Sequence, residues 1–461
     1  MSLRTMVYQG GLYLVVRQLV GMVVALGGMM VLTRTIGPGP WGVYVAASAA
    51  YAYVSLLCQW GINTYLIRHD GEIDDADWHQ AFTLLVILGV VGLAVSAAGL
   101  PLVDRWLQFD DFDVVSLAVF AALPLNLASL VPVARLERNL DYKRIAVLEL
   151  TGQVGFYAAA IAVALNGYGV WAPVAGWWAQ QVLGGILPYI YARHVPRLVW
   201  RWERVRALMG FGFSYQASVL VWQLRQLVNP LIVGRFVGAE AVGLVALAIR
   251  LVEALSFIKT VTWRLSVAAL AKLNGDRPRL ARAVAEGMRL QVLALAPALV
   301  GFSIAAPFIV PMFFGAKWLT MLEVYPFIAV GYLANGAFNM HYSALYALKD
   351  NWPVAVFRTA HVILFAGGAL VLVPLTGMIG YGLAEAVALL SYIIIHRMAV
   401  KRLGAIDWTL AVAWVGAASV ALFWPQLGLW AALGPVAALA WPETWRVLGS
   451  IWGHVRALKR A

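Results

Sequence analysis

Charged residues inside long apolar runs are the part of this sequence best suited to chemistry. Five of them fall well inside predicted membrane-spanning helices: Arg17, Arg225, Arg250, Glu253 and Glu385. A charge near the bilayer centre costs roughly 3 kcal/mol or more, so such residues usually face a cavity or a partner. Arg250 and Glu253 lie three residues apart on one helix face, where an ion pair and a functional role explain them equally well.

Arg17 and Arg225 differ from that pair because neither has an acidic residue three or four positions away. The sequence therefore predicts that each arginine binds an anion in a water-filled cavity. An interhelical ion pair is the alternative. A guanidinium group meets phosphate oxygens with bidentate geometry, which makes phosphate a suitable anion.

Two stripes of polar residues recur at helical spacing. The first is Glu149, Gln153 and Tyr157; the second is Tyr332, Asn335, Asn339 and Tyr342, continuing to Tyr346. Such a face lines either a helix contact or a hydrated lumen. Amides and aromatic rings suit sugars, which present hydroxyl groups and flat C–H surfaces. The stripes up to Tyr342 are therefore candidates for a sugar-binding lining, with the joining of helices as the alternative.

Enzymatic and metal chemistry have little support. The motifs HExxH, GxSxG and Walker A do not occur. His341 and His361 have no second ligand nearby in the sequence and are expected to be structural. The acidic run Asp70, Glu72, Asp74, Asp75 and Asp77 is expected to be a solvated loop. Cys58 is the only cysteine, which excludes disulfides and cysteine metal sites. No catalytic residue, cofactor or metal is expected.

The elements that must position these residues are membrane helices. The chain is 62% hydrophobic and 12% charged, with a mean hydropathy of +0.79, whereas soluble domains carry about 25% charge. A span needs about 20 mainly apolar residues. On that criterion spans are predicted near 11–33, 41–66, 79–103, 113–133, 145–165, 169–192, 208–233, 240–262, 286–312, 321–347, 353–374, 378–396, 407–423 and 427–441.

The lysines and arginines orient these spans. The even-numbered loops hold nineteen and the odd-numbered loops hold four. Loops rich in Lys and Arg stay in the cytoplasm, so both termini are predicted to be cytoplasmic. The net charge of +12 is explained in this way, without nucleic-acid binding.

One loop is repeated 201 residues further along. "TRTIGPGPWGVY" begins at Thr33 and "GRFVGAEAVGLV" begins at Gly234. Arg34, Gly37, Gly42 and Ala47 recur there as Arg235, Gly238, Gly243 and Ala248. Six spans separate the copies, which predicts a parallel repeat about an axis along the membrane normal. The glycines are expected to permit a tight turn and close helix approach. The two arginines are expected to act as anchors.

The predicted organisation has four parts. Residues 1–192 form an N-terminal six-helix bundle, and 193–207 are a basic cytoplasmic linker. Residues 208–396 form a C-terminal six-helix bundle, and 397–461 contain two short additional spans and a basic tail. The fold class is thus an all-α polytopic membrane protein with two bundles related by a pseudo-twofold axis.

Five stretches spread over both halves carry a family resemblance: Leu32 to Arg68, Glu137 to Leu150, Asn166 to Gly176, Asn229 to Leu255 and Leu273 to Val284. Through their order and spacing the chain resembles the polysaccharide transporters, or Wzx-type oligosaccharide flippases, of the MOP (multidrug/oligosaccharidyl-lipid/polysaccharide) superfamily. The family often has Asp-Leu-Gly-Leu where this chain has Gln59-Trp60-Gly61-Ile62, so any role of that acid is absent here.

The resemblance implies a V-shaped pair of six-helix bundles around a central cationic cavity, in some members with two extra C-terminal helices. Members of the family move polyprenyl-pyrophosphate-linked oligosaccharides, or related precursors, from the inner to the outer leaflet. This agrees with an intramembrane positive field from Arg17, Arg225 and Arg250, which become the candidate residues for binding pyrophosphate. In this hypothesis Arg250 contributes positive potential beside Glu253.

The resulting hypothesis is a bacterial inner-membrane flippase for surface polysaccharide biosynthesis that works by alternating access. Glu253 and Glu385 are candidates for coupling to a proton or sodium gradient. The expected partners are the lipid-linked oligosaccharide, membrane lipids and polysaccharide assembly proteins. The alternatives are a multidrug antiporter for organic cations, which an arginine-rich cavity disfavours, and a membrane-embedded glycan polymerase or acyltransferase.

Overall fold

The computed structural model describes residues 3–69, 71, 73–257, 259, 270, 273 and 275–449. Asp70 and Glu72 of the acidic loop, Arg264 and Lys272 of the basic loops, and the predicted basic tail at 450–461 lie outside the described residues. Within the described ranges the regular structure is helical throughout and includes no strand.

The first half of the described chain contains helices α1 (Leu3–Ile36), α2 (Pro38–Gln59), α3 (Ile62–Arg68), α4 (Asp75–Leu107), α5 (Phe112–Phe120), α6 (Leu123–Arg138), α7 (Tyr142–Leu165), α8 (Trp171–Ala192), α9 (Trp202–Gln223), α10 (Gly234–Val237) and α11 (Ala239–Leu255). Between α9 and α10 the chain forms a 3₁₀ turn (Leu224–Leu227) and a π-helical turn (Asn229–Val233).

The second half contains α12 (Arg277–Phe313), α13 (Tyr325–Ala347), α14 (Trp352–Thr376), α15 (Ile379–Ala388), α16 (Ser391–Leu403), α17 (Thr409–Leu422), α18 (Trp424–Leu427) and α19 (Leu433–Ala440). Two 3₁₀ segments, Ala316–Glu323 and Gly428–Ala432, join α12 to α13 and α18 to α19.

Several of these helices are long and apolar enough to cross a membrane. In the described part of the chain eight segments meet that test: Val16–Ile36, Pro38–Gln59, Asp75–Leu107, Phe112–Arg138, Tyr142–Leu165, Arg277–Phe313, Trp352–Thr376 and Ile379–Leu403. The two predicted C-terminal spans, Thr409–Leu422 and Trp424–Ala440, are long and apolar enough only when taken as one segment, and that segment is bent by 64° between them. The chain is a multi-pass membrane protein, as predicted. The total of fourteen spans stays a prediction.

Helices also lie within the predicted spans near 169–192, 208–233 and 321–347, and α11 covers the described part of the span near 240–262 up to Leu255, but none of these is among the eight apolar segments. Their sequences explain why. Helix α13 carries the second polar stripe, α8 contains two adjacent glutamines, and the span near 208–233 is broken after Gln223. Polar residues in such helices usually face other helices or a cavity.

The helices are grouped into two compact units. Unit 1 comprises Met1–Ala246 with Met312–Trp318, and unit 2 comprises Leu247–Pro311 with Leu319–Ala461. Within unit 1, α7 packs against α1 and α8, and α4 packs against α6. Within unit 2, α14 packs against α15 and α16, and α13 packs against α15 and α17. The predicted bundle boundaries at 192 and 208 stay a prediction.

The repeated loop forms two equivalent turns in unit 1. Gly37 and Gly238 have φ of 80° and 103°, which L-residues with side chains rarely adopt, and each directly precedes the first turn of a helix. The helices that follow, α2 and α11, meet at Gly42 and Gly243. The Pro38 carbonyl faces Gly243, and its counterpart, the Ala239 carbonyl, faces Gly42. The sequence repeat is thus a symmetric contact, and the expected role of the glycines is confirmed.

The repeated arginines bind backbone carbonyls near these turns. Arg34 Nη1 donates to the Met312 carbonyl (2.6 Å), and Arg235 Nη1 donates to the Trp106 carbonyl (3.1 Å). Arg235 also lies over the Trp106 ring, 5.3 Å from its centroid. Both contacts tie a helix end to a neighbouring segment within unit 1, which agrees with the expected anchoring role.

Candidate functional site

Arg17 is in an ion pair. Its guanidinium contacts the Glu149 carboxylate on α7, and its Nη1 also donates to Gln18 Oε1 (3.1 Å). The interhelical ion pair, which was the alternative from sequence, is therefore present. The pair is nevertheless accessible, since the Arg17 side chain is 27% exposed and that of Glu149 is 46% exposed.

The rest of the first polar stripe joins α7 to α1. Gln153 Nε2 donates to the Gly21 carbonyl (2.7 Å), one turn beyond Arg17. The ring of Tyr157 occupies the space that a side chain on Gly28 would fill. For Gln153 and Tyr157 the structure therefore has the helix contact that was the alternative to a sugar lining. Glu149 is the member of the stripe with the largest accessible part.

Arg225 lies where the span near 208–233 loses its α-helical hydrogen bonding. It belongs to the 3₁₀ turn Leu224–Leu227, and Pro230 in the following π turn cannot donate a backbone hydrogen bond. Its guanidinium carbon is 5.9 Å from the centroid of the Trp222 ring. Asn229 holds the break in place by donating to the Val242 carbonyl (3.1 Å). In membranes, irregular backbone is tolerated where it is buried in protein or lines a hydrated cavity.

Unit 2 brings several predicted residues into one polar network. Arg250 and Glu253 pair at 3.6 Å with half-exposed side chains. The Tyr332 hydroxyl on α13 donates to Glu253 Oε1 (2.9 Å), and this bond links the Arg250–Glu253 ion pair to the second polar stripe. Tyr332 in turn lies beneath the ammonium group of Lys259, 4.4 Å from the ring centroid.

Lys259 and Tyr392 complete this network and were not among the predicted site residues. Lys259 Nζ donates to Asn335 Oδ1 (2.9 Å), and Asn335 Nδ2 donates to the Tyr392 hydroxyl (3.0 Å). The signal for Lys259 was its position inside the predicted span 240–262, the same signal that identified Arg250. Tyr392 is on α16, and no local pattern connects it to α13.

Three other predicted residues lie at helix contacts, and one of them, Tyr342, also contacts Asn335 of this network. Asn339 is 2% exposed and is enclosed by helix packing. The Tyr342 ring stacks on Phe357 of α14, with 6.4 Å between centroids, so it joins two helices. Glu385 on α15 is also 2% exposed and lies against Gly331 of α13. A sugar-lining role of Asn339 and Tyr342, and ion coupling through Glu385, stay predictions.

The histidines have partners that only the fold supplies. His341 Nε2 and His396 Nδ1 are 3.0 Å apart, and the His396 ring stacks on Trp408 at 3.9 Å. His361 Nδ1 is 3.0 Å from Ser391 Oγ. Nothing in the neighbouring sequence indicated a second histidine beside His341. Among the described residues, no group of three or more His, Cys, Asp or Glu side chains is placed to bind a metal.

The described acids of the second loop form ion pairs. Arg204 donates to Asp77 Oδ1 (2.6 Å) and to Asp74 Oδ2 (3.1 Å), and Arg135 is 3.7 Å from Asp75. Hydrogen bonding by the Arg204 guanidinium lowers the pKa of the Asp74 carboxyl. Asp74 and Asp77 thus act as counter-ions for the segment that begins α9.

The fold is shared with solved membrane transporters. Over 97% of this chain and 99% of the other, it is similar to the lipid II flippase MurJ in an inward closed conformation, with a TM-score of 0.71 and 12% identity. It is also similar to an inward-facing multidrug resistance MATE family transporter of the MOP superfamily, with a TM-score of 0.64, 13% identity and coverage of 86% and 99%. The class is therefore an all-α membrane protein with the MOP fold.

Residues 31–323, well over half of the chain, match the family described as "Polysaccharide biosynthesis protein", and the chain belongs to that family. ExoT, the succinoglycan biosynthesis transport protein of Rhizobium meliloti (strain 1021), is 22% identical over 62% of this chain and 58% of its own length. TuaB, the teichuronic acid biosynthesis protein of Bacillus subtilis (strain 168), is 23% identical over 76% and 72%. WzxC, the lipopolysaccharide biosynthesis protein of Escherichia coli (strain K12), is 22% identical over 72% and 68%. The match thus spans less than two thirds of ExoT.

Proposed function

We propose that this protein is a flippase that moves a polyprenyl-pyrophosphate-linked oligosaccharide, or a related polysaccharide precursor, across the bacterial inner membrane by alternating access. Membership of a polysaccharide biosynthesis family and the names of its relatives support this reaction class. One observation supports an anionic substrate: cationic side chains in the helices are paired with partly exposed carboxylates. These are Arg17 with Glu149, and Arg250 with Glu253.

A partly exposed ion pair binds an arginine only weakly. Such pairs contribute about 0–1 kcal/mol, because solvent screens them. A pyrophosphate offers more negative charge than one carboxylate, and its oxygens match the guanidinium fork. It therefore displaces the carboxylate at little cost. The carboxylate balances the charge of each arginine and keeps it in position until the substrate arrives.

Lys259 adds a cation to the polar network of unit 2. Its ammonium group donates to Asn335 and lies over the Tyr332 ring. The residues proposed to bind pyrophosphate are Arg17, Arg225 and Arg250, as the sequence predicts, and Lys259 is added to them. Tyr332, Asn335 and Glu149 are the lining residues best placed to meet sugar hydroxyls.

The same groups disfavour transport of organic cations. The side chains proposed to bind pyrophosphate are cationic, and Glu149 and Glu253 are each paired with an arginine, so an anionic substrate is favoured. Glu253, which contacts Arg250 and Tyr332, and Glu385, which is buried on α15, are the residues proposed for ion coupling. Placement in the inner membrane with both termini in the cytoplasm, and two bundles at 1–192 and 208–396, belong to the same proposal.

The test compares Arg17→Gln and Arg250→Gln with Arg279→Gln, which removes an exposed arginine at the start of α12. In a strain that lacks the chromosomal copy, the first two variants are expected to abolish surface polysaccharide and to trap lipid-linked glycan on the cytoplasmic leaflet. The Arg279→Gln variant should restore export. Equal membrane levels of the three proteins exclude a folding defect. Normal glycan output from both Arg17→Gln and Arg250→Gln would remove these residues from the site.

A further inference from the structure

The connection between α8 and α9 has no helical structure from His194 to Arg201 and is fixed to the protein by its backbone. We call residues 193–202, "RHVPRLVWRW", the strap. The backbone N–H of Val199 donates to Thr83 Oγ1 (2.9 Å), and that of Arg201 donates to Gln80 Oε1 (2.6 Å). Both acceptors are buried side chains in the first turns of α4. The strap is therefore positioned without using its own outward-facing side chains.

His194 fixes the beginning of the strap. It is 5% exposed, its Nδ1 accepts from Arg135 Nη1 (3.2 Å), and its ring stacks on His79 with 5.3 Å between centroids. These contacts tie the strap to α4 and α6. The strap thus follows the end of α8 and lies beside the acids that begin the apolar helix α4.

The outward-facing side chains of the strap are apolar, aromatic and basic. Val195 and Leu198 are 74% and 75% exposed, Trp202 is 68% exposed, and the Trp200 ring lies 6.5 Å from that of Trp202. Three exposed arginines alternate with them, and no acidic residue occurs in the strap: Arg193, Arg197 and Arg201. Exposed large apolar side chains in such a row mark a surface that meets a partner.

We infer that the strap binds the headgroup region of an anionic phospholipid leaflet. Its composition matches that partner, because tryptophan prefers the membrane–water interface and arginine binds lipid phosphates. Its position matches as well, since the strap is continuous with α8 and bonded to the end of the spanning helix α4. The arginines of the strap could serve only to orient the protein in the membrane, as positive loops do. That role requires charge alone, so it does not explain why the backbone of the strap is held in place with its apolar side chains turned outward.

The two tryptophans and the two apolar residues enter the interface, while Arg197 and Arg201 reach phosphate groups. Arg204 is excluded from this role because Asp74 and Asp77 hold it. Each arginine near an anionic surface contributes on the order of 1 kcal/mol, so removing two weakens the preference for anionic lipid roughly 30-fold. The inference does not depend on the proposed flippase activity.

The test uses full-length protein with Cys58→Ala and a nitroxide spin label on Leu198→Cys. The protein is reconstituted in vesicles of phosphatidylcholine, with and without phosphatidylglycerol. Phosphatidylglycerol is expected to lower the accessibility of the label to a water-soluble nickel chelate and to raise its accessibility to oxygen. In Arg197→Gln/Arg201→Gln the phosphatidylglycerol content needed for half of this change rises roughly 30-fold, beyond the range of the titration. A second label on Val195→Cys checks that the label itself does not displace the strap.

Arg279→Gln/Arg282→Gln is the matched control, because it removes two exposed arginines from the start of α12. It should respond to phosphatidylglycerol as the parent does. The inference is overturned if the parent label is equally accessible in both lipids, which would leave the strap to a soluble partner. It is also overturned if the two double variants respond alike, or if inorganic phosphate reproduces the effect in phosphatidylcholine vesicles.

Discussion

The crossing of α2 and α11 at Gly42 and Gly243 offers a sharp test of the fold. A Cβ added to Gly42 would lie 2.7 Å from the Ala239 carbonyl carbon and closer still to its oxygen. A Cβ added to Gly243 would lie 3.0 Å from the Pro38 carbonyl carbon, again with the oxygen nearer. Both obstacles are backbone atoms, so a change of side-chain rotamer cannot relieve the overlap.

Gly42→Ala therefore requires the two helix starts to separate by at least 0.7 Å before the carbonyl carbon reaches 3.4 Å, where ordinary van der Waals contact begins. Overpacking of this kind costs about 1–3 kcal/mol. Replacing glycine by alanine in a helix otherwise gains about 0.5–1 kcal/mol. Because the obstacles are backbone atoms and the carbonyl oxygens are nearer than the carbons, the upper end of that cost applies, and the expected net loss of stability for Gly42→Ala or Gly243→Ala is about 2–2.5 kcal/mol.

Gly27→Ala is the control, since it lies inside α1 and its Cβ would meet nothing within 4 Å. The assay is thermal unfolding of the purified protein in one detergent, followed by size-exclusion recovery. Gly42→Ala and Gly243→Ala should melt several degrees below the parent, and Gly27→Ala at or above it. The double variant should lose less than the sum of the single variants, because one separation relieves both overlaps. Equal melting of Gly42→Ala and Gly27→Ala would refute the crossing.

Three further predictions concern the charged residues. Glu149→Gln removes the counter-ion of Arg17 and should tighten binding of a short-chain polyprenyl pyrophosphate several-fold, whereas Arg17→Gln should weaken it. If both variants changed the affinity in the same direction, an exchange of counter-ions would be contradicted. Lys259→Met should reduce flipping in proteoliposomes at least tenfold while Arg279→Gln has no effect, because only Lys259 belongs to the anion site; unchanged flipping would exclude it. Burial, aided by Arg135 and His79 and opposed by Asp75, lowers the pKa of His194. Below the unfolded pKa of about 6.5 the unfolded chain therefore binds more protons, and stability falls as pH decreases. His194→Asn keeps an acceptor for Arg135, so its melting temperature should vary less between pH 8 and 5.5, and an equal slope would exclude His194.

The repeated turns were predictable because their signal is local. A positive φ requires glycine at Gly37 and Gly238, and a close helix crossing requires it at Gly42 and Gly243. Backbone geometry of this kind restricts the residue type directly. Lipid-facing positions accept any apolar residue. The sequence therefore retained the turn while the surrounding repeat became hard to recognise.

The contacts of the charged residues were not predictable in the same way. Helical spacing assigned Arg17 and Glu149 to helix faces, but it did not indicate that those faces meet across 132 positions of sequence. The same limit applies to Gln153 with Gly21 and to Lys259 with Asn335. For Arg250 and Glu253 the spacing itself was sufficient, because three residues on one helix place the two side chains together.

The sequence by itself determined that this protein is a helical membrane protein, which residues share a helix face and where the repeated turns occur. These properties follow from burial in lipid and from backbone sterics, both of which act over a few residues. Only the tertiary structure decided that Arg17 has a counter-ion, that Lys259 joins the polar stripe and that the strap is held by α4. Each of these depends on which helix lies beside which, and packing of the whole chain sets that choice.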